Sequence, residues 1–424
     1  MRRKPSIIGP IICVCVLLLL CWVGAVLWSA SSSYATQSAA ERTSQRSLRK
    51  KKKDFAVPFV TSVIPKDVNA AEELPQEDVL KEIEEPFYVL PPDLRPALQP
   101  NPPSSDRELP YTPLYTILER WNPDNPEIPE SFREVLQHFN YGDPVEREMA
   151  AKYREAEMPF KLYNVSGFQE TSNKWTDVYL NEKLEGSSRR SHVERSKNNH
   201  FMFWSGKPQS LREFTPPTQI ISDMRFTEWL HIAKEADQNK LSNITEHFYF
   251  MSGADAHEHG RTFISRDLPM FSTEENNFFI TNVGANKGIQ CRFGMRGIIA
   301  EAHYDSGKNM VAMIKGAKRY IITPPWTCDH LSILSDTKHP SYRHSVVDWS
   351  DLDQARQNKF HEVDAIDTIV HKGEVLYIPS YWFHYIVSLK YSIQCNSRSG
   401  APPGRKGYEH IISCFAKSGH APRH

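Results

Sequence analysis

The chain reads as mainly β with a helical N-terminal elaboration, on three observations. Beyond Asn277 the sequence breaks into short segments rich in β-branched and aromatic residues, punctuated by Gly, Pro, Asn and Asp. Before that point, apolar residues recur at helical spacing. Thirty prolines in 424 residues are unevenly placed, so part of the chain is linker. Lys plus Arg equals Asp plus Glu at 51 each, and the formal net charge is zero. That balance argues against a dedicated nucleic-acid binder, which carries a basic excess. Seven cysteines without a C-x-x-C pair argue against a disulfide-dense scaffold and against structural zinc.

Residues 7–28, Ile7 to Trp28, carry no charge and match the length of a membrane-crossing helix. The apolar region of a cleaved signal would be shorter, about 7–15 residues. An uncleaved signal anchor is therefore expected. Arg2, Arg3 and Lys4 make residues 1–6 a cytoplasmic tail, while Arg42, Arg46 and the run Arg49–Lys53 pull the other way from further out. The expectation is a single-pass type II membrane protein of the secretory pathway, in the ER or Golgi, with a lumenal body. Sequons at Asn164 and Asn243 offer sites for N-glycans.

Residues 29–108 read as a stem. Glu72 to Glu85 is acidic, and Pro86, Pro91, Pro92, Pro96, Pro100, Pro102 and Pro103 crowd together. Such a stretch buries little apolar surface and stays extended. Residues 109–424 form the expected globular body. Ser131 to Glu134 has capping-box spacing, and Phe132, Val135, Leu136 and Phe139 follow on a helical stripe. Asp143-Pro144 opens a second helix, and a third runs from Thr227 to about Asp237. Strands are predicted at Phe278–Val283, Gly297–His303, Met310–Ile314, Arg319–Thr323, Val375–Ile378, His384–Leu389 and Ser392–Cys395, as in a sandwich or barrel.

Chemistry concentrates at His303-Tyr304-Asp305 and at His384. Residues i and i+2 of a strand share a face, so His303 and Asp305 can bind one ion side by side. His384 can complete the set from a hairpin built on Val375–Ile378. Two imidazoles and a carboxylate cap one face of an octahedral ion and leave three positions open, the arrangement of non-haem Fe(II) oxygenases. A lone H-x-D is most often an ordinary strand with polar residues, and its surroundings change the weighting. The blocks Gly294-Met295-Arg296-Gly297, His303-Tyr304-Asp305, Asn309, Ile314-Lys315-Gly316 with Lys318-Arg319, Pro324-Pro325 and Trp382-Phe383-His384 follow in order.

These blocks resemble the cupin-like (cupin 8) branch of the JmjC family of Fe(II) and 2-oxoglutarate oxygenases, and look most like its asparaginyl hydroxylase of a hypoxia-inducible factor. The resemblance is strong across about 290–400 and general over 109–289. It implies a double-stranded β-helix, a jelly roll, with its core at about 278–400. It implies His303, Asp305 and His384 as ligands of Fe(II), with 2-oxoglutarate and dioxygen as co-substrates. Lys318 matches the cation that pairs with the distal carboxylate of 2-oxoglutarate, with Lys315 as second candidate. Asn309 and Asn396 match polar positions beside the co-substrate. Ala300 departs from the pattern, standing where a hydroxyl donor is found. Another residue must make that bond, a tyrosine of the N-terminal part of the domain being one candidate. The implied activity is hydroxylation of a side chain of a protein or peptide.

Two other function classes compete. One is a cupin-like module that binds without catalysis. The other is a Golgi-type glycosyltransferase using Asp351 and Asp353, a D-x-D whose plainer role is to start a helix. His257-Glu258-His259 lies in a Gly-flanked polar stretch and lacks the spacing of a helical zinc motif.

Overall fold

The β-rich expectation is met by two sheets that enclose the site. The structure is a computed structural model that describes residues 79–82, 85–185, 191–204, 214–221, 223–238, 245–401, 404 and 406–419. The tail, the apolar segment 7–28, most of the expected stem and Asn243 lie outside the described residues. The strands are β1 (Thr112–Pro113), β2 (His138–Asn140), β3 (Phe160–Tyr163), β4 (His192–Ser196), β5 (His200–Phe201), β6 (Gln219–Ile221), β7 (His247–Ala254) and β8 (Asn286–Gly294). They continue with β9 (Ile299–Tyr304), β10 (Asn309–Lys315), β11 (Ala317–Thr323), β12 (Asp364–His371), β13 (Val375–Ile378), β14 (Phe383–Ser388) and β15 (Ser392–Ser399).

Among the described residues these strands form two sheets, ordered β1-β12-β11-β14-β9-β5 and β2-β3-β13-β10-β15-β8-β7-β4-β6. From β8 to β11 and again from β12 to β15, successive strands change sheet, as in a jelly roll. β13 and β14 therefore do not pair as the expected hairpin. The loop 379–382 carries the chain from one sheet to the other, and His384 starts on the opposite wall. Five strands of the larger sheet (β2, β3, β4, β6 and β7) precede residue 278, so the sheet core reaches well beyond 278–400. Two disulfides join Cys291 to Cys395, between β8 and β15, and Cys328 to Cys414.

Several expectations are corrected. The capping-box helix near 131–139 is absent. The Glu134 carboxylate accepts from the N–H groups of Val135 and Leu136 and pairs with buried Lys161 at 3.0 Å, and this tertiary pairing overrides the helical stripe. Phe278–Val283 is a turn-rich connection, and the strand begins at Asn286. The helices at Pro144–Glu155, capped by Asp143, and at Phe226–Gln238 agree with the reading.

The stem does not extend to 108. Glu82 binds Lys315 at 2.7 Å, Glu85 accepts from the N–H of Gly316 and from Lys390, and Leu90 is buried. The type II membrane arrangement with a lumenal body is also withdrawn. Among the described residues no helix is long and apolar enough to cross a membrane. Nor does a glycan at Asn164 find support, and its side-chain nitrogen donates to Asn140 Oδ1 at 3.1 Å.

Candidate metal centre

Two strand ends, of β9 and β14, bring the three donor residues together. His303 lies on β9 and His384 lies directly opposite on β14, their ring centroids 4.2 Å apart. Between Ile386 and His384, β9 holds one more residue than β14. This bulge turns both Ala300 and His303 toward one cavity. Asp305 follows β9, and its carbonyl accepts from the N–H of Tyr381 at 2.7 Å. The three side chains each offer one donor atom, all within 4.8 Å of one another.

Hydrogen bonds aim these donors. His303 Nδ1 lies 2.7 Å from the carbonyl of Glu301, and His384 Nδ1 lies 3.2 Å from the carbonyl of Trp382. A carbonyl only accepts, so each Nδ1 carries the hydrogen and each Nε2 keeps its lone pair. Arg343, at 3.2 Å, and Arg398 both hold Asp305 Oδ1. Oδ2 is left toward His384 Nε2, 3.9 Å away. Burial alone would raise the Asp305 carboxyl. Arg398, the two histidines and Arg343 outweigh it and hold the group well below the ordinary carboxylate range. Burial, with each other's proximity and that of His344, pushes His303 well down, and burial lowers His384 too. Two neutral imidazoles and one carboxylate are a donor set that fits a divalent first-row metal.

The cavity beside them measures about 310 Å³. Asn309 and Asn396 line it, joined by a 2.9 Å hydrogen bond across β10 and β15. Lys318 on β11 is fully buried and reaches the hydroxyl of Tyr249, a cavity-lining residue of β7, at 3.4 Å. Lys315 does not face this site, being paired with Glu82 and with Asp177 at 2.6 Å. Asp351 and Asp353 stand elsewhere. Asp351 caps the helix Leu352–Gln357 and Asp353 pairs with Arg356, so no shared metal–nucleotide site forms and the transferase alternative fails. Among the described residues His257 and His259 join no such donor group.

Sequence reasoning missed Arg292, Arg343, His344 and Arg398, which also line the cavity. His344 stacks on His303 with centroids 4.8 Å apart. A signal was present for two of them. Arg292 is the one charge in the stretch Ile289–Gly294, and Arg398 shares a strand face with Asn396 by its i+2 spacing. Arg343 and His344 come from an irregular segment whose path only packing reveals.

The chain matches the Cupin-like domain family over residues 146–397. It is 32% identical over 110 residues to "Lysine-specific demethylase JMJ30" of Arabidopsis thaliana, covering 26% of this chain and 25% of that protein. It is 23% identical over 230 residues to "tRNA wybutosine-synthesizing protein 5" of Danio rerio, covering 52% and 63%. To "Jumonji C domain-containing protein 5" of Drosophila melanogaster it is 23% identical over 251 residues, covering 58% and 55%. The chain thus spans from a quarter to under two thirds of the length of these relatives. The family match over more than half the chain, on a jelly roll with this donor set, makes the protein a member of the cupin-like JmjC family of oxygenases.

Proposed function

We propose that the protein is an Fe(II)- and 2-oxoglutarate-dependent dioxygenase that hydroxylates a side chain of a protein or peptide. The observation that carries this is the convergence of His303, Asp305 and His384 beside a cavity with polar side chains in its lining. The donor set suits Fe(II), which with 2-oxoglutarate and dioxygen supplies the oxidising power to functionalise an unactivated carbon.

The chain's own residues do the positioning. The carbonyls of Glu301 and Trp382 fix the imidazole tautomers, and Arg343 and Arg398 keep Asp305 ionised with one oxygen free. Lys318, with the Tyr249 hydroxyl beside it, is placed to receive the distal carboxylate of 2-oxoglutarate. Tyr249 answers the donor lost at Ala300. Asn309 and Asn396 present amides to the rest of the co-substrate. Low exposure of Asp305 and His384 would limit the access of bulk water to a metal held there.

The relative named as a lysine-specific demethylase supports a protein substrate. The relative named for tRNA wybutosine synthesis points to RNA, but the zero formal charge lacks the basic excess such a substrate asks for.

Metal analysis and succinate release on the purified chain test the proposal. One iron per chain and iron-dependent succinate formation are expected, both lost in His303→Ala. Iron retained with no turnover under any peptide condition would favour the non-catalytic module. Iron retained in His303→Ala would sink the metal assignment.

A further inference from the structure

Two cations meet around Tyr249 and Gly294, and among the described residues neither forms an ion pair. Lys318 approaches from the six-stranded sheet. Its ammonium lies 3.4 Å from the Tyr249 hydroxyl and 5.1 Å from the centre of the Tyr249 ring. Arg292 approaches from β8 of the nine-stranded sheet and lines the cavity. Its guanidinium makes one long hydrogen bond, 3.4 Å, to the carbonyl of its own neighbour Cys291.

Register places the two heads together. Arg292 and Gly294 share a strand face, about 7 Å apart. A Cβ on Gly294 would stand 3.2 Å from Lys318 Nζ, so the ammonium lies against that glycine. The acidic side chains lining the cavity are engaged elsewhere. Glu194 is held by Thr218 and lies near His192, Glu301 by His200, and Asp305 by Arg343 and Arg398. Among the described residues, neither Arg292 nor Lys318 has an ion-pair partner. The Cys291–Cys395 bridge beside Arg292 ties β8 to β15, so the guanidinium is presented from a fixed strand.

Lys318 is fully buried and Arg292 half-buried, and cations withdrawn from water without a paired carboxylate are costly to hold and mark a place where an anion is expected. The lowered proton affinity of Lys318, caused by burial and by Arg292, agrees with that placement. A guanidinium offers a planar fork and an ammonium a point charge, which together match the two oxygens of one carboxylate.

We infer that Arg292 is a specificity-determining residue of this chain, forming with Lys318 a two-cation seat for the distal carboxylate of a dicarboxylic 2-oxo acid. This rests on the dioxygenase reading above and deepens it. The second charge adds to the Tyr249 hydroxyl rather than replacing it, and the seat disfavours 2-oxo acids that end in a methyl group.

The test is calorimetric titration of the full chain with 2-oxoglutarate, with Zn²⁺ in place of iron so that nothing turns over. Arg292→Leu should bind 2-oxoglutarate about 10–100-fold more weakly than the parent, with unchanged Zn²⁺ affinity. Its ligand-free melting temperature should be no lower than the parent's, because an unpaired cation has been removed. Parental affinity for 2-oxoglutarate in a folded Arg292→Leu chain overturns the inference and leaves the dioxygenase reading standing on Lys318. A parent chain that binds Zn²⁺ but not 2-oxoglutarate overturns both. If Arg292→Leu loses Zn²⁺ affinity, it has misfolded, and Arg292→Gln decides by the same criterion.

Discussion

Lys318 shows how one side chain couples burial to ligand chemistry. Burial and the nearby Arg292 bring its ammonium down from the ordinary lysine range to about 7. An incoming carboxylate needs the charged form. Affinity for 2-oxoglutarate should therefore fall as pH rises from 7 to 9, approaching tenfold per pH unit in the limit. Lys318→Arg, cationic throughout, should flatten that profile in the same titration. A pH-independent parent would remove Lys318 from the seat. The ligand-free stability runs the other way. The unfolded chain holds this proton up to about 10.4 while the folded chain releases it near 7, so stability rises with pH across that window.

At the scale of elements, the edge of the larger sheet is held by a buried ionic cluster. Lys161 of β3 contacts Glu134 at 3.0 Å, Glu374 at 3.2 Å and the carbonyl of Ile369 at 2.7 Å, all out of solvent. His138 of β2 adds a 3.0 Å contact to Glu374. Lys161→Ala leaves two buried carboxylates without their cation and should cost about 3–5 kcal/mol in denaturant unfolding. A loss below 1 kcal/mol would mean that water already reaches the cluster. The same cluster explains why Ser131 to Phe139 misled a periodicity reading. The capping pattern there was real, but Glu134 gains more from Lys161 and Thr368 than from an isolated helix start. The helix at Pro144–Glu155 had no such competitor, and Asp143 caps it as its sequence foretold.

At the scale of the molecule, the segment before residue 109 behaves as part of the body where it is described. Glu82 and Glu85 tie it to Lys315, Lys372 and Lys390, and Arg95 reaches the hydroxyl of Tyr163 at 2.6 Å. A chain starting at residue 109 loses the burial of Leu90 and leaves Lys315 with Asp177 alone. Its stability should drop by about 2–5 kcal/mol, read by thermal or denaturant unfolding. An unchanged transition would return this segment to the role of a spacer. Acidic, proline-rich composition hid the docking. Extended backbone with few apolar residues looks like linker until the basic surface that receives it is known.

The order of chemical blocks from Gly294 to His384, the family they resemble and the β-rich class were all legible in the amino-acid string, because motif spacing and side-chain alternation are local properties. So were the six strands and two helices whose apolar pattern had no rival partner, such as Val375–Ile378 and Phe226–Gln238. The bulge that turns His303 inward, the arginines on Asp305 and the pairing of Arg292 with Lys318 across two sheets were not. Each depends on which strands become neighbours, and that choice is made by burial and register over separations of dozens to hundreds of residues, where a linear pattern carries no distance information.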